Sequence, residues 1–180
     1  MKKIFLLFVA VAGLITFQSC EGPQGPPGYD GAVPVVYDVK TDLIPNNDFQ
    51  TTFNFSIPLY DEDIVLVYFL DAKTDNGTKV WRMLPQKYYI DVNNNEYEVD
   101  YNFDFTRYDF RLFLSSNYPN IDIIGNGAWT RRLEFRAVVL EGAFGNSRIA
   151  SSQSSIPETI EYETLAKKYN IKESDVIRLN

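Results

Sequence analysis

The chain of 180 residues contains no histidine and a single cysteine. Without histidine it lacks the commonest general base and the commonest ligand of transition metals. One cysteine cannot form an intrachain disulfide, a redox pair or a zinc site of several thiolates. A glycine-rich G-x-G-x-x-G loop for dinucleotides is also missing from the sequence. We therefore predict that the protein is not an enzyme and carries no cofactor.

Positive charge is scarce as well. The sequence has 17 Lys and Arg against 24 Asp and Glu, a net charge of -7, which argues against binding to nucleic acid phosphates. Hydrophobic residues make up 45% and aromatic residues 15% of the chain. This composition is ample for the packed core of one domain at this length.

The N-terminus has the pattern of a secretory signal peptide. Two lysines precede an apolar run over residues 4–17. As a helix this run would rise about 21 Å, short of the roughly 30 Å of a hydrocarbon core. We therefore predict that residues 1–19 are cleaved rather than membrane-spanning.

Cys20 follows the small residue Ser19 and the apolar run, an arrangement similar to a bacterial lipobox. In such a motif the thiol is acylated, and lipid chains hold the mature protein to a bilayer. The sequence predicts an outer membrane lipoprotein and leaves open whether it faces the periplasm or the cell surface. The alternative is a free thiol beside an ordinary signal peptide.

Glycine recurs at every third position directly after the cysteine, at Gly22, Gly25 and Gly28. This is the period of collagen, in which only glycine fits at the shared axis. Three triplets are too few to offset the entropy of ordering three chains, although a trimeric stalk is the alternative. Residues 20–33 are predicted to form a lipidated, proline-stiffened tether of up to roughly 40 Å.

Residues 34–150 are predicted to form an antiparallel β-sandwich of immunoglobulin-like size in a mainly β protein. Strands alternate with short turn signals such as Asp75-Asn76-Gly77, and residues 63–70 lack polar alternation, which predicts a central strand buried on both faces. The predicted strands cover residues 33–40, 49–57, 63–70, 78–84, 87–92, 96–105, 108–114 and 130–140.

The C-terminal part, residues 151–180, differs in pattern. A serine-rich stretch over residues 151–155 predicts an exposed linker. Residues 158–169 carry acidic residues early and lysines late, as a helix dipole prefers. We predict one short helix over 158–169 that packs on the same domain.

Several segments add to the lipobox and the glycine-rich tether: "DIVLVYFLD" (63–71), "VWRMLPQ" (80–86), "YNFDFTRYDFRLFL" (101–114) and "YNIKESDVIRL" (169–179). Together they resemble a family of short Bacteroidota lipoproteins with a collagen-like tether after the lipobox cysteine. The resemblance implies an anchored β-rich domain and assigns it no activity.

A weak calcium signal lies between two predicted strands. Asp91, Asn93 and Asn95 give the D-x-N-x-N start of a calcium-binding loop. Its sixth position is Glu96 rather than glycine, and its twelfth is Asn102 rather than glutamate. The alternative is a polar hairpin tip without a metal.

The predicted strand over residues 96–105 should place acidic and aromatic side chains on opposite faces. The acidic face carries Glu96, Glu98, Asp100 and Asp104. One interpretation is a docking stripe for a basic partner or a divalent ion. The alternative is a solvated face paired with cations across strands. The cations expected in that case are Arg131, Arg132 and Arg136.

Aromatic side chains beside carboxylates and amides suit the stacking of sugar rings. The candidates are Tyr88, Tyr89, Tyr108, Tyr118, Trp81 and Trp129. The alternative is that they fill the core of the sandwich. A glycan site therefore depends on several of them converging at the surface.

From these patterns we expect a lipid-anchored accessory or structural protein of the cell envelope. It would bind another envelope protein through its β-sandwich and would be a monomer when isolated. A glycan- or calcium-binding module at the cell surface is the alternative.

Overall fold

The computed structural model describes residues 33–140 and 160–179. The predicted signal peptide (1–19), Cys20, all but the last residue of the tether (20–33) and the predicted linker (151–155) lie outside the described residues. Within the described ranges, no helix has both the length and the apolar character needed to cross a membrane.

Strands dominate the described residues. In chain order the elements are β1 (Val35–Thr41), β2 (Gln50–Asn54), β3 (Ile64–Lys73), β4 (Lys79–Met83), β5 (Gln86–Val92), β6 (Asn95–Phe105), β7 (Asp109–Ser116), β8 (Leu133–Leu140), α1 (Tyr162–Tyr169) and β9 (Ile177–Leu179). Sheet A has the order β4-β3-β8-β1-β9, and sheet B has the order β2-β7-β6-β5. The predicted mainly β sandwich with a short C-terminal helix is confirmed.

The main core lies between the inner faces of the two sheets. β3 contributes Val65 and Val67, whereas β6 contributes Val99 and Tyr101. These side chains are buried, and their spacing of two residues is the spacing that places side chains on one face of a strand. Period-two alternation of branched and aromatic residues therefore builds the sandwich.

Sheet A is buried on its outer face as well. Leu66 and Tyr68 of β3 point away from the sandwich core and join a second hydrophobic cluster with Tyr162 and Leu165 of α1. Burial of both faces explains why residues 63–70 show no polar alternation. The prediction of a central, doubly buried strand is confirmed.

The helix is shorter than predicted. It begins at Tyr162 rather than residue 158, because Glu161 has an extended backbone with φ −62° and ψ 134°. Just before it, the carbonyl of Ile160 accepts a hydrogen bond of 3.0 Å from the Tyr68 hydroxyl. A tertiary contact thus holds this segment out of the helix.

The C-terminal strand β9 was not predicted. It pairs in parallel with β1, with Tyr37 opposite Ile177 and Val39 opposite Leu179, whereas the other strand pairs are antiparallel among the described residues. A strand of three residues is too short to show alternation in the sequence. The chain reaches this position in sheet A through the segment that follows α1.

The sandwich has two ends. At the entry end lie the start of β1, where Val35 pairs with Val139, and the start of β3, where Ile64 pairs with Leu140. At the far end lie the β3–β4 turn and the β5–β6 turn. The predicted turn at the β3–β4 connection is confirmed, and Gly77 there adopts a positive φ of 83°.

Candidate functional site

The outer face of sheet B, called the open face below, is the surface on which the acidic strand lies. Val99 and Tyr101 of β6 are buried against sheet A. Their neighbours Glu98 and Asp100 are partly exposed on the opposite face. The predicted separation of acidic and aromatic side chains along β6 is therefore confirmed. In contrast to sheet A, none of the described helices covers this face.

Two cations on neighbouring strands pair with the acidic residues of β6. Lys87 Nζ lies 2.7 Å from Glu98 Oε2 and 3.7 Å from Asp100 Oδ1. Arg111 Nε donates to Asp104 Oδ1 at 3.0 Å. The hydrogen bonds from Arg111 hold the pKa of Asp104 below its usual value. These three carboxylates therefore have partners within the same sheet.

The prediction that Arg131, Arg132 and Arg136 would pair with this strand was wrong. Arg131 Nη1 lies 3.8 Å from Asp42 Oδ2, and the backbone N–H of Arg132 donates to Asp42 Oδ1. Arg136 is buried in sheet A. The physical reason is topological, because β6 has β5 and β7 as its neighbours and the arginines precede or lie on β8 in the other sheet.

Negative charge remains in excess on the open face. Its outward carboxylates belong to Asp91, Glu96, Glu98, Asp100, Asp104 and Asp109. Its outward cations are Lys87 and Arg111. Asp91 and Glu96 stand directly opposite each other across β5 and β6, and both are exposed. Like charges in such a pair are destabilising.

The candidate calcium residues lie at a tight hairpin tip. Val92 pairs with Asn95, so that Asn93 and Asn94 alone form the turn, with positive φ values of 52° and 62°. The chain runs as β6 from Asn95 onward, whereas a calcium loop of this type must wrap around its ion. No group of three or more His, Cys, Asp or Glu side chains placed to hold a metal occurs in residues 33–140 and 160–179.

Four of the candidate aromatic residues pack inside the domain. Tyr88 and Trp129 contact each other with ring centroids 5.6 Å apart, and Tyr118 packs on Tyr97 at 4.8 Å. Trp81 is buried under α1. These four residues belong to the hydrophobic core. The sequence could not distinguish this role from a sugar-binding platform, because both use aromatic residues.

The other two aromatic candidates, Tyr89 and Tyr108, are exposed. Tyr89 stands opposite Glu98 of β6, and Tyr108 follows the end of β6 at Phe105. Seven residues of strand separate Glu98 from Phe105, a distance of about 24 Å. The two exposed tyrosines therefore do not converge on one sugar ring.

Sequence reasoning missed a buried charged cluster around Arg136 on the outer face of sheet A. Its side chain is inaccessible to solvent. Nε and Nη2 of Arg136 donate to the two carboxylate oxygens of Asp38 at 2.6 and 2.8 Å. Nη1 and Nη2 donate to Glu173 at 2.8 and 3.1 Å, and Nη1 also donates to the Tyr162 hydroxyl at 2.6 Å.

Two aromatic rings complete the Arg136 cluster. The guanidinium carbon lies 4.7 Å from the ring centroid of Trp81 and 4.8 Å from that of Tyr162. Burial by itself lowers the pKa of Arg136, but the hydrogen bonds to Asp38 and Glu173 outweigh it and raise that pKa. The same hydrogen bonds lower the pKa of Glu173.

The Arg136 cluster joins three parts of the chain, since Asp38 lies on β1, Arg136 on β8 and Glu173 after α1. A cavity of about 160 Å³ beside it is lined in part by Lys79, Trp81 and Arg178. The guanidinium has its donors occupied by protein groups, so the cluster fastens the C-terminal segment and leaves no donor for a ligand. The sequence signal was a lone arginine inside the apolar stretch of β8.

Comparison of the chain with protein-family models, curated proteins and solved structures finds no match.

Proposed function

We propose that this protein is a lipid-anchored accessory or structural protein of the cell envelope, and that it binds another envelope protein through the open face of sheet B without catalysis. The difference between the two sheets supports this proposal. The outer face of sheet A is filled by α1 and the segment that follows it. The open face of sheet B presents polar and charged side chains on four strands.

The observation that carries the proposal is the opposed pair of Asp91 and Glu96 within a net negative face. Lys87 and Arg111 already pair with Glu98, Asp100 and Asp104. A basic surface on a partner would relieve the repulsion between Asp91 and Glu96. The proposed partner is therefore an envelope protein that presents lysine or arginine side chains.

The direct test is recovery of the partner with the native lipidated protein in mild detergent. The variant Glu96→Lys replaces an attraction to the partner by a repulsion. Because exposed charge pairs contribute about 0.5–1 kcal/mol each, we expect about two- to fivefold weaker binding. Raised salt should weaken the wild-type complex, since exposed charges are screened over about 10 Å at 0.1 M.

The matched control is Asp75→Lys, which makes the same change of charge at an exposed turn of the far end. Asp75 lies in the β3–β4 connection of sheet A. Binding by this variant should equal that of the wild type. Equal recovery of the partner by both variants and the wild type would remove the open face as the binding site.

The anchor is tested separately by Cys20→Ala. We expect the variant to be released from the membrane fraction or to accumulate as an unprocessed precursor, because no thiol is left to acylate. Metabolic labelling with a fatty acid should mark the wild type alone. A variant that stays processed and membrane-bound would contradict the lipid anchor.

A further inference from the structure

Four large apolar or aromatic side chains are exposed together at the entry end. Ile57 is 74% exposed, Tyr60 55%, Phe105 44% and Tyr108 62%. We call these four residues the end patch. Ile57 and Tyr60 lie in the β2–β3 loop, Phe105 ends β6, and Tyr108 lies in the β6–β7 connection.

Backbone hydrogen bonds join the two segments into one surface. The N–H of Phe55 donates to the carbonyl of Tyr108 at 2.8 Å, and the N–H of Leu59 donates to the carbonyl of Arg107 at 2.7 Å. Arg107 Nε donates in turn to the Leu59 carbonyl at 2.9 Å. The end patch is therefore built by main-chain contacts rather than by two independent loops.

The N-terminal segment joins the domain at this same end. Val35 pairs with Val139 one position from the pair of Ile64 and Leu140, and Val33 just before it is 69% exposed. Residues 21–33 separate Cys20 from the domain, and 13 residues span at most about 45 Å when fully extended. A lipid on Cys20 would therefore hold the point where the chain enters the domain, at the same end as the end patch, within about 45 Å of the bilayer.

We propose that the end patch rests on the lipid surface to which Cys20 is anchored. This inference rests on the proposed lipid anchor and adds an orientation to it. Tyrosine and phenylalanine suit the boundary between headgroups and acyl chains, because tyrosine places an apolar ring inward and a hydroxyl in the wet layer. Isoleucine adds apolar area that a bilayer can cover.

Because the tether holds the domain near the bilayer, a weak contact between the end patch and lipid is sufficient for binding. A surface held on a short linker meets its target at an effective concentration in the millimolar range. The end patch can therefore engage lipid with an affinity too small to bind an untethered protein. A free partner protein would lack this advantage.

Charge at the entry end favours neutral lipid. Arg107 Nε lies 3.5 Å from Asp61 Oδ1, so the nearby cation is paired, and Glu62 beside it is exposed. Attraction to anionic headgroups is therefore weak, and the contact depends on apolar area. Phosphatidylcholine vesicles are the appropriate probe.

The test uses the full lipidated chain in phosphatidylcholine vesicles whose acyl chains carry bromine near the carbonyl end. Tyr108→Trp and, independently, Ile57→Trp place fluorophores in the end patch. Tyr89→Trp is the matched control, because Tyr89 is 57% exposed on the open face. Interfacial side chains reach about 5–10 Å into the headgroup and acyl boundary, so the end-patch probes should be quenched at least about twofold more than the control.

Flotation of the same samples separates the two proposals. Variants that float with vesicles but show equal quenching at all three positions overturn the lipid contact and leave the anchor intact. A wild type that does not float overturns both. The fluorophore of the Tyr108→Trp variant could instead be shielded from solvent in detergent, to a degree that rises with protein concentration. That result would assign the end patch to a second copy and likewise overturn the lipid contact.

Discussion

Arg136 shows how one buried cation can organise several elements. A guanidinium without solvent contact is costly to bury unless its donors are occupied. Here two carboxylates and a tyrosine hydroxyl accept its hydrogen bonds, and two aromatic rings cover it. We infer that the Arg136 cluster sets the position of the C-terminal segment on sheet A.

Replacing Arg136 by methionine should lower the free energy of unfolding by about 3 kcal/mol, because two carboxylates lose their common partner. This value lies at the low end of the free-energy losses expected when a buried ion pair is broken, since the side chain of Glu173 is accessible to water. Urea denaturation followed by circular dichroism measures the change. The control Arg131→Met removes an exposed pair and should change stability by at most about 1 kcal/mol.

Stability should depend on the protonation of Glu173. Arg136 holds its pKa below the usual 4.5, so the folded state binds this proton less readily than the unfolded state. The resulting stabilisation is present above pH 4.5 and is lost as the pH falls through the lowered pKa of the folded state.

The variant Glu173→Gln should therefore be less stable than the wild type by about 1 kcal/mol at pH 7, a figure reduced for the exposure of this side chain. The difference should shrink as the pH falls below 4.5. Denaturant titrations at several pH values check this. A difference that is the same at pH 7 and pH 3 would contradict the assigned role.

Individual residues differed in how well the sequence predicted them. The two faces of β6 followed from period-two alternation, which is a local property of a strand. The partners of Glu98 and Asp104 did not follow, because Lys87 and Arg111 lie on strands whose neighbours are set by topology. Arg136 was assigned to a solvated surface because the sequence does not show that α1 covers that face.

Among the elements, α1 matters because it closes the second hydrophobic cluster. Leu165 is buried against sheet A together with Tyr162. Leu165→Ala should lower the free energy of unfolding by about 2–4 kcal/mol through lost burial and a residual cavity. Lys167→Ala on the exposed side of the same helix should stay within about 0.5 kcal/mol of the wild type. Similar losses in both variants would contradict the packing role of Leu165.

The elements that the sequence predicted are those with a long, regular pattern. β3 showed a continuous apolar run, and the β5–β6 hairpin showed a clear asparagine turn. By contrast, β9 has three residues, and the start of α1 is set by the contact between Tyr68 and Ile160. Short strands and helix ends depend on tertiary contacts that no local pattern encodes.

For the whole molecule, the described strands and α1 enclose both hydrophobic clusters within one chain. Residues 34–180 without the tether should therefore fold alone as a monomer. Size-exclusion chromatography with light scattering at micromolar concentration measures this mass. A stable trimer without the glycine triplets would contradict the prediction, because the sandwich itself would then be the site of association.

The pairing of β1 with β9 makes the first and last of the described strands neighbours. A nascent chain therefore cannot complete sheet A until residues 177–179 have been synthesised. Until then one edge of β1 lacks its partner and the outer face of sheet A lacks its cover. Loss of residues 177–179 by truncation therefore acts on the whole of sheet A rather than on a dispensable tail.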